Sequence, residues 1–257
     1  MRVFLILIVG IFVSFSYLNA DTILVYENIF STNSDEPVVF KDFILKKKQQ
    51  IILSSLGSVL TFQRSQDIKQ ALGSVSSVVF ESQDSKEKLK IRKEGRFVLI
   101  ENLKKLDQKI ERKKIPSKHF ILFPYEEFKD FVFSNEKSYD YSTIIPQVRQ
   151  VIPFRAKKIS VGELDIKGKN YHVVELEVKP KYKSSEMIQR QLYGWMKDRF
   201  WFDVKTGLCV KSIHKLSPKG ALLSRVFVQK IIKENVTVIK TDKGLSLSYK
   251  EKRKPQD

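Results

Sequence analysis

Cysteine is nearly absent: Cys209 stands alone in 257 residues, so no intramolecular disulfide can form and stability has to come from a buried core. Histidine is almost as scarce. None of His119, His172 and His214 stands at i, i+2 or i, i+4 from another, so with a single thiol the chain offers no clustered ligand set and a zinc centre is not expected. With 10 glycines and 8 prolines, the chain has no glycine- or proline-rich linker, and none of these residues forms a Gly-x-Ser-x-Gly elbow, a phosphate-binding loop or a dinucleotide fingerprint. Internal repeats and low-complexity blocks are missing as well. No cofactor is implied.

Long apolar runs are also missing, with one instructive exception. Arg2 precedes an apolar run from Val3 to Phe15 that gives way to Ser16-Tyr17-Leu18-Asn19-Ala20. A membrane-crossing helix needs roughly 20 apolar residues, and this run is shorter and broken by Gly10 and Ser14. The layout is that of a secretory signal peptide cleaved after Ala20, with an uncleaved N-terminal anchor as the alternative. The leader carries no cysteine for lipidation at the cleavage point. The expected product is a soluble periplasmic or secreted protein.

Acidic residues are outnumbered, 29 against 47 lysines and arginines, for a formal charge of +18. The excess is spread from Lys41 to Lys254 and favours anionic partners. For an exported chain those are an anionic membrane surface or other envelope polymers; nucleic acid and metal are not expected. Solvated lysines on a generally basic protein account for the same charge. With 42% hydrophobic and 11% aromatic residues, the chain can bury a sizeable core. The expected organisation is a signal peptide over 1–20, one β-rich domain over 21–249 and a loose basic tail over 250–257.

Most segments read as strands. Thr22–Tyr26, Val38–Leu45, Ser58–Phe62, Val75–Phe80, Leu89–Arg92 and Phe97–Ile100 are short, apolar and divided by turn residues. Glu94-Gly95 marks a tight reversal pairing the last two, with Lys88, Lys90 and Arg92 on a wet face. Further on, Ile159–Leu164 and Tyr171–Val178 flank Lys167-Gly168-Lys169-Asn170. Phe200–Asp203 and Leu208–Ile213 flank Val204-Lys205-Thr206-Gly207, where glycine closes a bulged hairpin. Val236–Thr241 and Leu245–Tyr249 flank Asp242-Lys243-Gly244, and Arg225–Ile232 adds a strand.

Helical signals are few. Ser65 can cap a short helix carrying Ile68, Ala71 and Leu72 and ended by Gly73; Ser185–Leu192 is a second segment of this kind. Pro124, with Glu126 and Glu127 behind it, opens a segment that places Phe128 and Phe131 on one side. Asn102–Lys113 fits either a helix or a charged strand and loop.

Four features could bear on function. His172 shares strand parity with Val174, Leu176 and Val178, which points it inward if that face is buried and reads as a satisfied core histidine, with a catalytic histidine as the alternative. On the opposite parity, Glu175 and Glu177 resemble the carboxylate pair of a glycan hydrolase, although neighbours on an exposed strand face look the same. Cys209 lies in an apolar strand and reads as a small hydrophobe. In Trp195–Phe202, alternation separates Phe200 and Phe202 from Arg199 and Trp201, leaving a sheet with two unequal apolar faces. Apolar residues on both faces imply that the second face is covered, by a helix or by an apolar ligand.

The segment Phe200-Trp201-Phe202-Asp203-Val204-Lys205-Thr206-Gly207-Leu208-Cys209-Val210-Lys211 resembles the late hairpin of the lipoprotein-carrier fold, the group of LolA and LolB, and of exported families sharing it. Ile159–Leu164 with Tyr171–Leu176 looks like the preceding strand pair, so the resemblance covers residues 157–232; Cys209 stands where proline is usual. The resemblance implies a mainly β fold, a strongly curved antiparallel sheet or incomplete barrel with short helices in or over its concave side, and an apolar hollow for acyl chains. The expected ligand-binding residues are Val174, Leu176, Val178, Phe200 and Phe202. The expected function is non-enzymatic binding of a lipid or acylated partner. An envelope protein-interaction module and a hydrolase using Glu175 and Glu177 are the rivals.

Overall fold

The computed structural model describes residues 21–248 apart from 33–35, 48–49, 56–57, 65–74, 83–87, 105–108, 147–148, 183–192, 216, 234–235 and 242–243. The expected leader, the helices at Ser65–Gly73 and Ser185–Leu192, the turn residues Asp242 and Lys243, and the basic tail lie outside the described residues.

Strand β1 (Asp21–Ser31) organises the molecule because it pairs antiparallel on both sides, with β2 (Val38–Lys46) and with β15 (Leu222–Lys233). From β2 the sheet proceeds by nearest neighbours through β3 (Gln50–Ser55), β4 (Ser58–Arg64), β5 (Val75–Ser82), β6 (Lys88–Glu94) and β7 (Phe97–Asn102) to the edge strand β8 (Glu111–Lys114). From β15 it proceeds through β14 (Cys209–Lys215), β13 (Asp198–Asp203), β12 (Lys169–Pro180), β11 (Gln150–Ile166) and β10 (Ser138–Ile145) to β9 (His119–Phe120). The result is one 15-stranded sheet, antiparallel throughout except for the β9–β10 pair. A twisted sheet of this width curls. Its two edge strands, β8 and β9, are consecutive in the chain and joined by residues 115–118, yet they form no ladder with each other. Across that gap the Arg149 guanidinium meets the Glu111 carboxylate at 2.6 Å. The sheet is an incomplete barrel.

Turn chemistry follows the sequence closely where glycine is required. Gly95 has φ +58° at the first of two central residues between β6 and β7, a conformation that costs glycine nothing. Gly207 has φ +65° and donates to the Asp203 carbonyl at 2.8 Å, while the Asp203 carboxylate accepts from the N–H and hydroxyl of Thr206. A Cβ at Gly207 would stand 3.0 Å from the Phe133 ring, so this turn also accommodates a close approach.

Several expectations are corrected. The helix considered over Asn102–Lys113 is not formed: β7 runs to Asn102, and Glu111–Lys114 is the edge strand, so the charged-strand alternative holds there. Pairing with β7 decides this, since Arg112 lies 3.7 Å over the Phe97 ring as well as beside Leu99 in register. Strands β3 and β10 were not anticipated, and β11 is far longer than Ile159–Leu164. Its first half, Gln150–Lys158, carries Pro153 and reads poorly as a strand until β10 pairs with it. His172 does not face the core. It is exposed, with Nδ1 2.8 Å from its cross-strand neighbour Glu163. In the tip of the β11–β12 hairpin it is the opposite parity, Tyr171 and Val173, that is buried.

Only two short helices occur among the described residues of the main β9–β10 connection: α1 (Pro124–Glu127) and α2 (Lys129–Phe133). Pro124 takes the first helical turn as expected, and the Glu127 carboxylate reaches back to accept the N–H groups of Leu122 and Phe123 at 2.8 and 2.6 Å. Separately, β16 (Thr237–Thr241) and β17 (Gly244–Ser248) form the expected C-terminal hairpin. Val236 just before it packs on Ile23, Phe43 and Leu45, covering the outer face of β1 and β2.

Candidate functional site

The concave face is lined by the residues that alternation turns inward from the β10–β15 half. Register sets Val174 opposite Phe202, Leu176 opposite Phe200 and Val178 opposite Asp198, so the five expected ligand-binding residues form one continuous patch. All five are buried. The next pair outward brings Ser212 beside Phe200 and His214 beside Asp198 on the same face.

This face is covered by α1 and α2. Phe128, with no exposed surface, packs edge-on to Phe200, Phe202 and Tyr141 at 5.7, 6.3 and 5.3 Å. Tyr125 meets Phe200 edge-on at 5.8 Å, and Phe131 stacks on Tyr139 at 5.5 Å. The cover is anchored at its charged end by Glu126, which pairs with Lys46 of β2 and with Lys129. Burial works to raise the Glu126 carboxyl, but the two ammonium groups outweigh it and hold it below its ordinary value.

Beneath Tyr125 lies a buried polar cluster that sequence reasoning missed. The Tyr125 hydroxyl is 3.0 Å from Ser212 Oγ and 2.9 Å from His214 Nε2, and His214 Nδ1 is 3.4 Å from Asp198 Oδ2. Beside it Arg225, 2% exposed, donates from Nε to Asn28 Oδ1 at 2.9 Å and from Nη2 to Asp42 Oδ2 at 3.0 Å. Its guanidinium lies 5.3 Å over the Tyr26 ring and 5.5 Å over Tyr125. Tyr26 in turn donates to the Cys209 carbonyl at 3.0 Å. Two signals were present in the sequence: Arg225 stands between Leu223 and Phe227 on an apolar parity, and Ser212 and His214 share a face at i, i+2.

Ser212, His214 and Asp198 stand in the order of a hydrolytic triad, and the electrostatics argue against that use. Burial opposes a charge on His214, but Tyr125 and Asp198 outweigh it and carry the imidazole up to about 9. An imidazolium at neutral pH has no lone pair to take the Ser212 proton. Ser212 is also wholly buried. What the cluster does physically is clamp Tyr125, and with it α1, to the floor of the hollow.

The Glu175 and Glu177 pair lies on the outer face, where each carboxylate meets basic side chains. Glu175 pairs with Arg199 at 3.1 Å; Glu177 pairs with Lys179 at 2.6 Å and Lys197 at 2.8 Å. Burial works to raise the Glu177 carboxyl, yet the hydrogen bonds from Lys179 and Lys197 hold it below its ordinary value, the opposite of what a general acid requires. Cys209 is buried, and burial pushes its thiol up to about 12, in keeping with a small hydrophobe. Among the described residues no group of three metal-ligating side chains occurs, and no helix is long and apolar enough to cross a membrane.

No family model and no curated protein matches this sequence. In structure the chain is similar to a β-barrel-like protein of a domain of unknown function, DUF1849, from Brucella abortus: TM-score 0.54, 10% identity, over 85% of this chain and 99% of that one. Looser likenesses are to the hypothetical lipoprotein YmcC of Escherichia coli (TM-score 0.35, 11% identity, 79% and 86% covered) and to the LolA superfamily protein NE2245 of Nitrosomonas europaea (TM-score 0.23, 7% identity, 83% and 86% covered). The fold is thus the curved, unclosed antiparallel sheet expected from the sequence, and it is shared with that β-barrel-like protein.

Proposed function

We propose that this chain is an exported, non-enzymatic protein whose concave sheet face binds an apolar or amphipathic envelope ligand, a lipid or an acylated partner. One observation carries the reading: a continuous apolar layer, Val174, Leu176, Val178, Phe200 and Phe202, is closed from above, among the described residues, by helices of four and five residues. Displacing α1 and α2 would free that layer for an acyl chain, which gains roughly 25 cal/mol for each Å² of apolar surface withdrawn from water. The contacts that would have to yield are the rings of Tyr125, Phe128 and Phe131 and the Glu126 ion pairs. The basic surface would hold the protein near an anionic membrane while exchange occurs. Release of the leader near Ala20 would place it in the periplasm or outside the cell.

Delipidated protein titrated with a fluorescent fatty acid tests this. Saturable uptake that is lost in Leu176→Glu is the expected result; absence of saturable uptake by the folded wild-type protein refutes it.

A further inference from the structure

The open junction of the sheet carries a second feature, far in character from the apolar hollow. Where the β6–β7 turn faces the β8–β9 connection, a cavity of about 640 Å³ is lined by Lys93, Arg96, Lys114 and Lys118 together with Ser117 and the buried Ile115. That volume suits a headgroup-sized solute. No carboxylate lines it, and among the described residues none of the four cations is held in an ion pair. The acids nearest in sequence are engaged elsewhere, Glu94 facing Arg92 at 3.9 Å, and Glu111 bound by Lys113 and Arg149 at 3.3 and 2.6 Å.

The walls are fixed by the backbone. The Ile115 N–H donates to the Arg96 carbonyl at 2.8 Å, tying the β8–β9 connection to the β6–β7 turn. The Ser117 N–H donates to Ser142 Oγ at 3.2 Å, tying it to β10, and Ser142 is fully buried. Lys93 shares parity with Leu89 and Ile91, the inward series of β6, so its ammonium rises at the rim of the barrel while Arg92 and Glu94 point outward. The fields of Lys93 and Lys118 converge: after burial itself, these two lysines are what lower His119 beside them, against the opposing pull of Glu136.

Four like charges around one concavity repel each other, and a multiply charged anion removes that repulsion while accepting hydrogen bonds from the Arg96 fork, three ammonium groups and the Ser117 hydroxyl. A phosphoryl group has the charge and the oxygen count for this set; a single carboxylate would leave donors unused. We propose that this junction pocket is a binding site for a phosphoryl group borne on a polar solute or on a lipid headgroup. The proposal is independent of whether the concave face takes an acyl chain.

The test uses the full chain, calorimetric titration with inorganic phosphate, and sedimentation with phosphatidylglycerol vesicles in the presence and absence of that phosphate. The site variant is Lys93→Gln/Lys118→Gln, the charge-matched control Lys90→Gln/Lys205→Gln, and Arg96→Gln alone serves if the double variant melts early. Saturable phosphate binding weakened at least tenfold by the site variants and less than twofold by the control is the expected result for a soluble ligand. Vesicle binding that shows the same dependence and is displaced by phosphate assigns the headgroup source. The proposal is overturned if neither probe binds saturably, if site and control variants weaken binding equally, or if neither weakens it.

Discussion

Arg225 offers the sharpest test of how this sheet is held together. Its guanidinium, 2% exposed, bridges Asn28 of β1 and Asp42 of β2 from β15, spanning the three strands at which the N-terminal and C-terminal halves of the sheet join. In Arg225→Met the aliphatic stem is kept, but the buried Asp42 carboxylate loses the guanidinium that pairs with it and Asn28 Oδ1 loses its donor. Breaking a buried pair in this manner costs about 3–5 kcal/mol. Asn28 Nδ2 has no hydrogen-bond partner among the described residues, and leaving Oδ1 without its donor as well adds about 1 kcal/mol. A domain stable by ~5–15 kcal/mol would lose a large fraction of its margin. Removing both charges in Arg225→Met/Asp42→Leu should return stability to within about 1 kcal/mol of wild type, because the desolvation cost disappears with the attraction. Urea unfolding followed by tryptophan fluorescence measures both, as a fall in midpoint at constant slope for the single variant and its recovery in the double. A single variant costing less than ~1 kcal/mol, or a double variant no better than the single, would refute the account.

Further outcomes follow from the hollow and its cover. Phe128→Ala should cost about 3–5 kcal/mol by urea unfolding and speed fatty-acid uptake by the folded fraction, because the cover over Phe200 and Phe202 is thinned. His214 is raised to about 9 from an ordinary 6.5, so its contribution is full below pH 6.5 and lost as pH rises through 9. Wild type should lose up to ~3 kcal/mol more than His214→Gln between pH 6 and 10 in parallel urea series. Cys209 should react with a thiol reagent at pH 8 only as fast as the protein unfolds, given its burial and a thiol pushed up to about 12. Glu175→Gln/Glu177→Gln should leave ligand uptake unchanged, since both carboxylates lie on the outer face against Arg199, Lys179 and Lys197.

Much of the sheet is legible in the sequence because local rules act on it directly. Period-two alternation names the strands, and Gly95 and Gly207 name two turns by the positive φ each requires. Pro124 and the acidic pair behind it mark α1 correctly for the same reason. The first half of β11 and the edge strand β8 are different. Both carry sequences with weak strand preference, and both become strands because a neighbour supplies the ladder.

The sequence by itself determined that the chain is a disulfide-free, basic, mainly β protein, and which residues of the Phe200–Lys211 hairpin turn to one face, since composition and alternation need no partner to act. Only the tertiary structure decided what meets that face. It brought Tyr125 from α1 onto Ser212 and His214, and Arg225 between Asn28 and Asp42, contacts separated by 87 to 197 residues. It exposed His172, because the tip of the β11–β12 hairpin buries the opposite parity. It set Lys93 and Arg96 opposite Lys114 and Lys118, because a curled sheet that stops short of closing brings its ends together without pairing them. Such juxtapositions depend on how far the sheet curls, a sum over 15 strands that no short window of sequence contains.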